Sequence, residues 1–116
     1  MIDPLRDALT EQAKVGAPVA YGELARRLAL QPPHTIHRLT EALERLMEED
    51  AAAGRPLLAT LAASKTRRGL PGPGFFLKAQ RLGIFSGEPD GPDADAFYAE
   101  ELQRAVIYYG RRELTP

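Results

Sequence analysis

The sequence contains no cysteine and no tryptophan, only two histidines and two methionines, and an aromatic share of 7%. Without cysteine the chain has no disulfide, no thiolate metal ligand and no thiol nucleophile. No apolar run approaches the roughly 20 residues of a membrane helix, and no charged-then-apolar leader follows Met1. Those two absences set the expectation of a cytoplasmic protein with no membrane partner. Net charge is missing too, since 15 Lys+Arg face 16 Asp+Glu and leave −1. That balance excludes a protein that coats nucleic acid by bulk charge. What is present is ordinary: 116 residues, 44% hydrophobic and 27% charged. This is the make-up of one folded domain over 1–116, not of a disordered chain.

The near-zero sum hides an asymmetry along the chain. Residues 1–50 hold nine acids and six bases, and residues 88–116 hold seven acids and three bases. Between them, residues 51–87 carry Arg55, Lys65, Arg67, Arg68, Lys78 and Arg81 without a single acid. A segment of formal charge +6 therefore lies between two acidic ones. Either these charges cancel in space on folding, or they form a basic face for phosphate or an acidic partner.

Hydrophobic spacing and helix breakers divide the chain into about five helices and two short strands, an α+β domain. Asp3 suits a cap and Pro4 a first helical position, and Leu5, Ala8, Leu9 and Ala13 recur at helical spacing until Gly16. Residues 17–21 read as extended, because Pro18 biases Ala17 away from helix. A short helix over 22–30 follows, with Leu24, Ala25 and Leu28 inward, and Gln31-Pro32-Pro33 breaks it. The strongest periodic signal is 34–52, where Ile36, Leu39, Leu43, Leu46 and Met47 form one stripe. Glu41 and Arg45 lie four apart there, the spacing of a favourable pair worth about 0.2–0.5 kcal/mol. Residues 56–64 read as a buried strand, and 65–74 as a loop rich in glycine and proline. Phe75, Phe76, Ala79 and Leu82 fit a short helix, with Ile84 and Phe85 docking behind it. A last helix starts near Asp93 or Asp95 and carries Tyr98, Leu102, Ala105, Val106 and Tyr109 inward to Gly110. The tail 111–116 is expected to fray.

The string Val19-Ala20-Tyr21-Gly22-Glu23-Leu24-Ala25, then Arg26-Arg27-Leu28 and the helix over 34–52, resembles the DNA-binding domain of alkyltransferase and alkyltransferase-like proteins. In that family a Tyr-Gly-acid-hydrophobic-Ala string leads into the helix before the recognition helix. The resemblance covers roughly residues 17–70. It implies a winged helix-turn-helix whose recognition helix, here 34–52, lies against DNA. The family's Pro-Cys-His-Arg segment has no counterpart, since Arg55-Pro56-Leu57-Leu58 stands in its place. With no cysteine, alkyl transfer to a thiolate is excluded, and the shared function would be binding only.

On the residues themselves, a recognition helix reads bases with its first turn, which here supplies His34, Thr35, His37 and Arg38. Arg38 suits guanine or phosphate, and Thr35 and the histidines suit phosphate. Arg26 and Arg27 on the preceding helix, and Lys65, Arg67 and Arg68 in the loop, would contact the backbone. The later half of 34–52 is acidic, with Glu44, Glu48, Glu49 and Asp50, so only its start could face DNA. Gly69 to Phe76 is neither a P-loop nor a dinucleotide fingerprint. It suits an anion cradle ahead of a helix start or a tight structural connection, and between the two stands a rigid loop that presents Lys65, Arg67 and Arg68 as a wing.

No catalytic set, metal cage or cofactor motif emerges. His34 and His37 are three apart without a third ligand. Ser64 and Lys65 are adjacent, and on a strand they would point to opposite faces. The expectation is a non-catalytic binding domain for double-stranded DNA. The alternative is a protein-interaction module that uses the same basic face or the tyrosine-bearing last helix. Oligomeric state is not readable from the sequence.

Overall fold

A computed structural model describes residues 2–111, and these form five helices around a central 3-10 turn. Helix α1 is Ile2–Val15, strand β1 is Val19–Ala20, α2 is Tyr21–Arg27 and α3 is Thr35–Ala53. The 3-10 turn Leu58–Leu61 leads into strand β2, Ala62–Ala63, followed by α4, Pro73–Arg81, and α5, Pro92–Tyr109. The expected α+β content of five helices and two short strands is present. The strands pair in parallel, with Val19 opposite Ala62 and Ala20 opposite Ala63. Most of the tail expected to fray, 112–116, lies outside the described residues. Among the described residues no helix is long and apolar enough to cross a membrane.

Each helix delivers one apolar stripe to a shared core. Leu5, Leu9 and Ala13 come from α1, Leu24 and Ala25 from α2, and Leu39, Leu43, Leu46 and Met47 from α3. Burying a leucine of this kind contributes roughly 1.5–3 kcal/mol. The 3-10 turn sits at the centre, with Leu57, Leu58 and Leu61 sealed from solvent by α1, α3 and α5. Phe75 and Phe76 of α4 meet Phe85, Phe97 and Tyr98 in an aromatic cluster, its closest rings 4.9 Å apart. Such packing adds geometric preference to area burial.

Several local expectations are corrected. Asp3 lies inside α1, not at its cap, and Tyr21 opens α2 where extended chain was expected. Residues 56–64 are not one strand. The Asp50 carboxylate accepts the Leu58 N–H at 3.1 Å and the Glu101 carboxylate accepts the Leu57 N–H at 2.8 Å. Those acceptors take the amides that a strand neighbour would have used, and the chain coils into a 3-10 turn. Ile36 leaves the predicted inward stripe and stands 44% exposed, and Ile84 stays outside the core while Phe85 enters it. Glu41 Oε1 lies 3.4 Å from His37 Nε2, and among the described residues no bond joins Glu41 to Arg45.

Candidate nucleic-acid interface

The connection from α2 to α3 positions the candidate residues. Leu28 closes α2, Ala29 takes a left-handed backbone at φ 56°, and His34 does the same at φ 59° immediately before α3. The Arg38 guanidinium donates to the Gln31 carbonyl and ties the start of α3 to the turn. His34, His37 and Arg38 are exposed there, and Thr35 is half-buried.

Two adjoining hollows open beside this helix start, and Tyr21 and Ile36 line both. The first is an apolar pocket of about 310 Å³. Its walls are Ile36, Thr40, Leu43, Glu44 and Met47 of α3 on one side and Tyr21 with Gly72–Phe75 on the other; Ala59 lines it too. The Gly72 N–H donates to the Tyr21 hydroxyl at 2.8 Å, fixing the loop against α2. Burial raises the Tyr21 pKa above the usual phenol value, against the lowering effects of that bond and of Arg67. Its hydroxyl therefore stays protonated and keeps a proton to donate.

The second hollow, about 350 Å³, is lined by Arg26 and Glu23 of α2 and by Ser64, Lys65 and Thr66. Ser64 and Lys65 line the same hollow, because β2 ends at Ala63 and strand alternation no longer separates them. The Ser64 and Thr66 hydroxyls lie 3.1 Å apart. Lys65 is exposed and has no salt-bridge partner among the described residues. The loop behind it is closed by Ser64 N–H to the Leu70 carbonyl at 2.8 Å and Leu70 N–H to the Arg67 carbonyl at 2.9 Å.

The nine candidate residues do not form one continuous face. Arg26 and Lys65 share the second hollow, and Arg26 also pairs with Glu23. That guanidinium is the main reason the Glu23 carboxyl sits below the usual range. Arg27 is held between Glu23 at 3.3 Å and Gln12 of α1 at 2.7 Å, and Arg67 donates to the Pro71 carbonyl at 3.0 Å. Arg68 lies 3.7 Å from Asp95 of α5. Two other bases of the acid-free stretch are also neutralised, Arg55 by Asp50 and Lys78 by Glu48. The stretch of +6 is thus half cancelled by the acidic segments that flank it in sequence.

Sequence reasoning missed Tyr21, Ile36, Thr40 and Glu44 as cavity residues. For Tyr21 the signal was there, in the tyrosine that heads the Tyr-Gly-Glu-Leu-Ala string. Glu44 is one of four acids in the later half of the helix over 34–52, and nothing in its spacing sets it apart from the others. The chain matches no protein-family model, no curated protein and no solved structure.

Proposed function

We propose that this domain binds double-stranded DNA without catalysing a reaction, and that its apolar pocket holds one base turned out of the stack. On this reading α2 and α3 are a helix-turn-helix of winged-helix type, with the loop 64–72 in place of a wing. The observation that carries it is the junction of the two hollows at Tyr21 and Ile36. A nucleotide is a planar ring joined to a phosphate. The apolar pocket suits the ring, and Lys65, Arg26 and the Ser64 and Thr66 hydroxyls suit the phosphate. Ile36, apolar and exposed between them, has the chemistry of a wedge that enters a base step. Turning a base out costs a few kcal/mol, and least where it is already mispaired. The domain should therefore prefer a duplex with an unpaired or mismatched base.

Fluorescence anisotropy with a fully paired and a singly mismatched duplex tests this across a salt series. We expect the mismatch to bind about tenfold tighter, and Lys65→Ala to reduce the salt slope by about 0.9. Thr40→Phe, which fills the pocket from its rim, should remove the mismatch preference and keep affinity for the paired duplex. No binding at low salt, or a salt slope indifferent to Lys65→Ala and Arg26→Ala, would end this reading.

A protein-interaction module is the second reading. Ile107 and Tyr108 stand 59% and 51% exposed on α5, beside a hollow that Pro56, Arg104 and Arg111 help to line. That face would dock an apolar partner with acidic flanks, and DNA would then not bind at any salt concentration.

A further inference from the structure

Glu44 is the one acid among the residues that line the apolar pocket, and it is half-buried there. Its Oε2 lies 3.6 Å from the place a side-chain carbon on Gly74 would occupy, so the carboxylate reaches across the pocket to the far wall. Among the described residues it has neither an ion-pair nor a hydrogen-bond partner. An ionised carboxylate accepts hydrogen bonds and offers none. The other polar side chains of the pocket are already oriented. The Thr40 hydroxyl donates to the His37 carbonyl at 2.9 Å, and the Tyr21 oxygen accepts the Gly72 N–H and keeps its proton. The pocket therefore offers a strong acceptor at Glu44 and a donor at Tyr21.

We infer that Glu44 determines which base the pocket admits: one that presents an exocyclic amino group, with thymine rejected. This rests on the pocket's holding a base at all. Adenine, cytosine and guanine each offer amino N–H groups to a carboxylate, and each keeps a ring nitrogen or carbonyl acceptor for Tyr21. Thymine has one N–H, flanked by two carbonyl oxygens. A carboxylate that approaches that N–H meets both oxygens, acceptor against acceptor. Discrimination of this kind comes from the unpaired polar group left in the wrong complex.

The test is a set of duplexes, identical except for one bulged base, each titrated against the paired duplex by anisotropy. Wild type should bind the three amino-bearing bulges about tenfold or more tightly than the thymine bulge. E44Q offers an amide that both donates and accepts, and should bring the four bulges to within about twofold. Each affinity is divided by that for the paired duplex, which removes the general gain from deleting a negative charge near DNA. An unchanged thermal midpoint for E44Q shows that the fold is intact. Equal binding of all four bulges by wild type, or a thymine gap that persists in E44Q, overturns the role of Glu44 and leaves the pocket reading standing. Bulged and paired duplexes bound alike would overturn both.

Discussion

A carboxylate sealed from water is destabilising unless its oxygens are engaged, and Asp50 meets that condition at 0% exposure. Arg6 Nη1 reaches its Oδ1 at 3.1 Å, Arg55 Nε and Nη2 reach the same oxygen at 3.1 and 3.0 Å, and Leu58 N–H reaches Oδ2 at 3.1 Å. One side chain thus binds α1, α3 and the 3-10 turn together. Asp50→Ala leaves two guanidiniums and an amide without their acceptor, and should cost about 3–5 kcal/mol in urea denaturation. Exchanging Glu49, an exposed neighbour that also pairs with Arg6, should cost under about 1 kcal/mol. In sequence these acids are indistinguishable, since both sit in the acidic half of a helix. Arg6, more than forty positions away in the chain, reaches both; their difference arises from Arg55 and the Leu58 N–H, which bind Asp50 alone, and from a turn no periodicity announces.

At the level of elements, α3 was legible because its own residues suffice. Leu39, Leu43, Leu46 and Met47 repeat at helical spacing and Gly54 stops the helix at φ 70°. The segment after it was not, because acceptors from α3 and α5 decide its shape, and its alanines and leucines carry little preference of their own. The same holds for the pocket, whose walls come from α3 and from Tyr21 with Gly72 and the first turn of α4, some thirty residues later. A second junction between elements depends on close approach. A Cβ on Gly110, which ends α5, would lie 2.4 Å from the Val106 carbonyl oxygen and 2.7 Å from that of Ala13 in α1. Gly110→Ala must push the ends of α1 and α5 apart, and we expect a loss of about 1–3 kcal/mol, read as a lower urea midpoint. Gly54→Ala, with open space around it, gives the contrast: its cost comes from the left-handed backbone alone.

For the whole molecule, three tyrosines join separate layers through buried or half-buried hydroxyls. Tyr98 donates to the Thr60 carbonyl at 2.8 Å, Tyr109 to the Pro56 carbonyl at 2.7 Å, and Tyr21 holds the loop at Gly72. Burial pushes the Tyr109 hydroxyl up to about 12, with Asp50 adding to the rise, and burial raises Tyr98 further. The unfolded chain titrates these groups near 10. Folded protein therefore holds more protons than unfolded protein above that value, and stability falls as pH rises from about 10 towards 12. Below about pH 9 the contribution of these groups is fully present and flat. Chemical denaturation at pH 9, 10 and 11 should show that decline, and Tyr109→Phe should make it shallower by removing one titrating group. A decline of the same slope in Tyr109→Phe and Tyr98→Phe would assign alkaline sensitivity elsewhere. The charge pattern belongs to this scale as well: the acid-free stretch folds back on its acidic neighbours, so only a few cations remain for an outside phosphate.

The parallel pairing of Val19–Ala20 with Ala62–Ala63 is the smallest structure in the molecule and joins segments separated by α2, α3 and the 3-10 turn. Neither strand can be supplied by a local hairpin, so the pair forms only when the segments on either side of α2, α3 and the 3-10 turn are brought together. Its amides thus act as a clock for that pairing. Their hydrogens exchange with solvent when the two paired segments part, so their exchange rate reads how often this long-range contact opens.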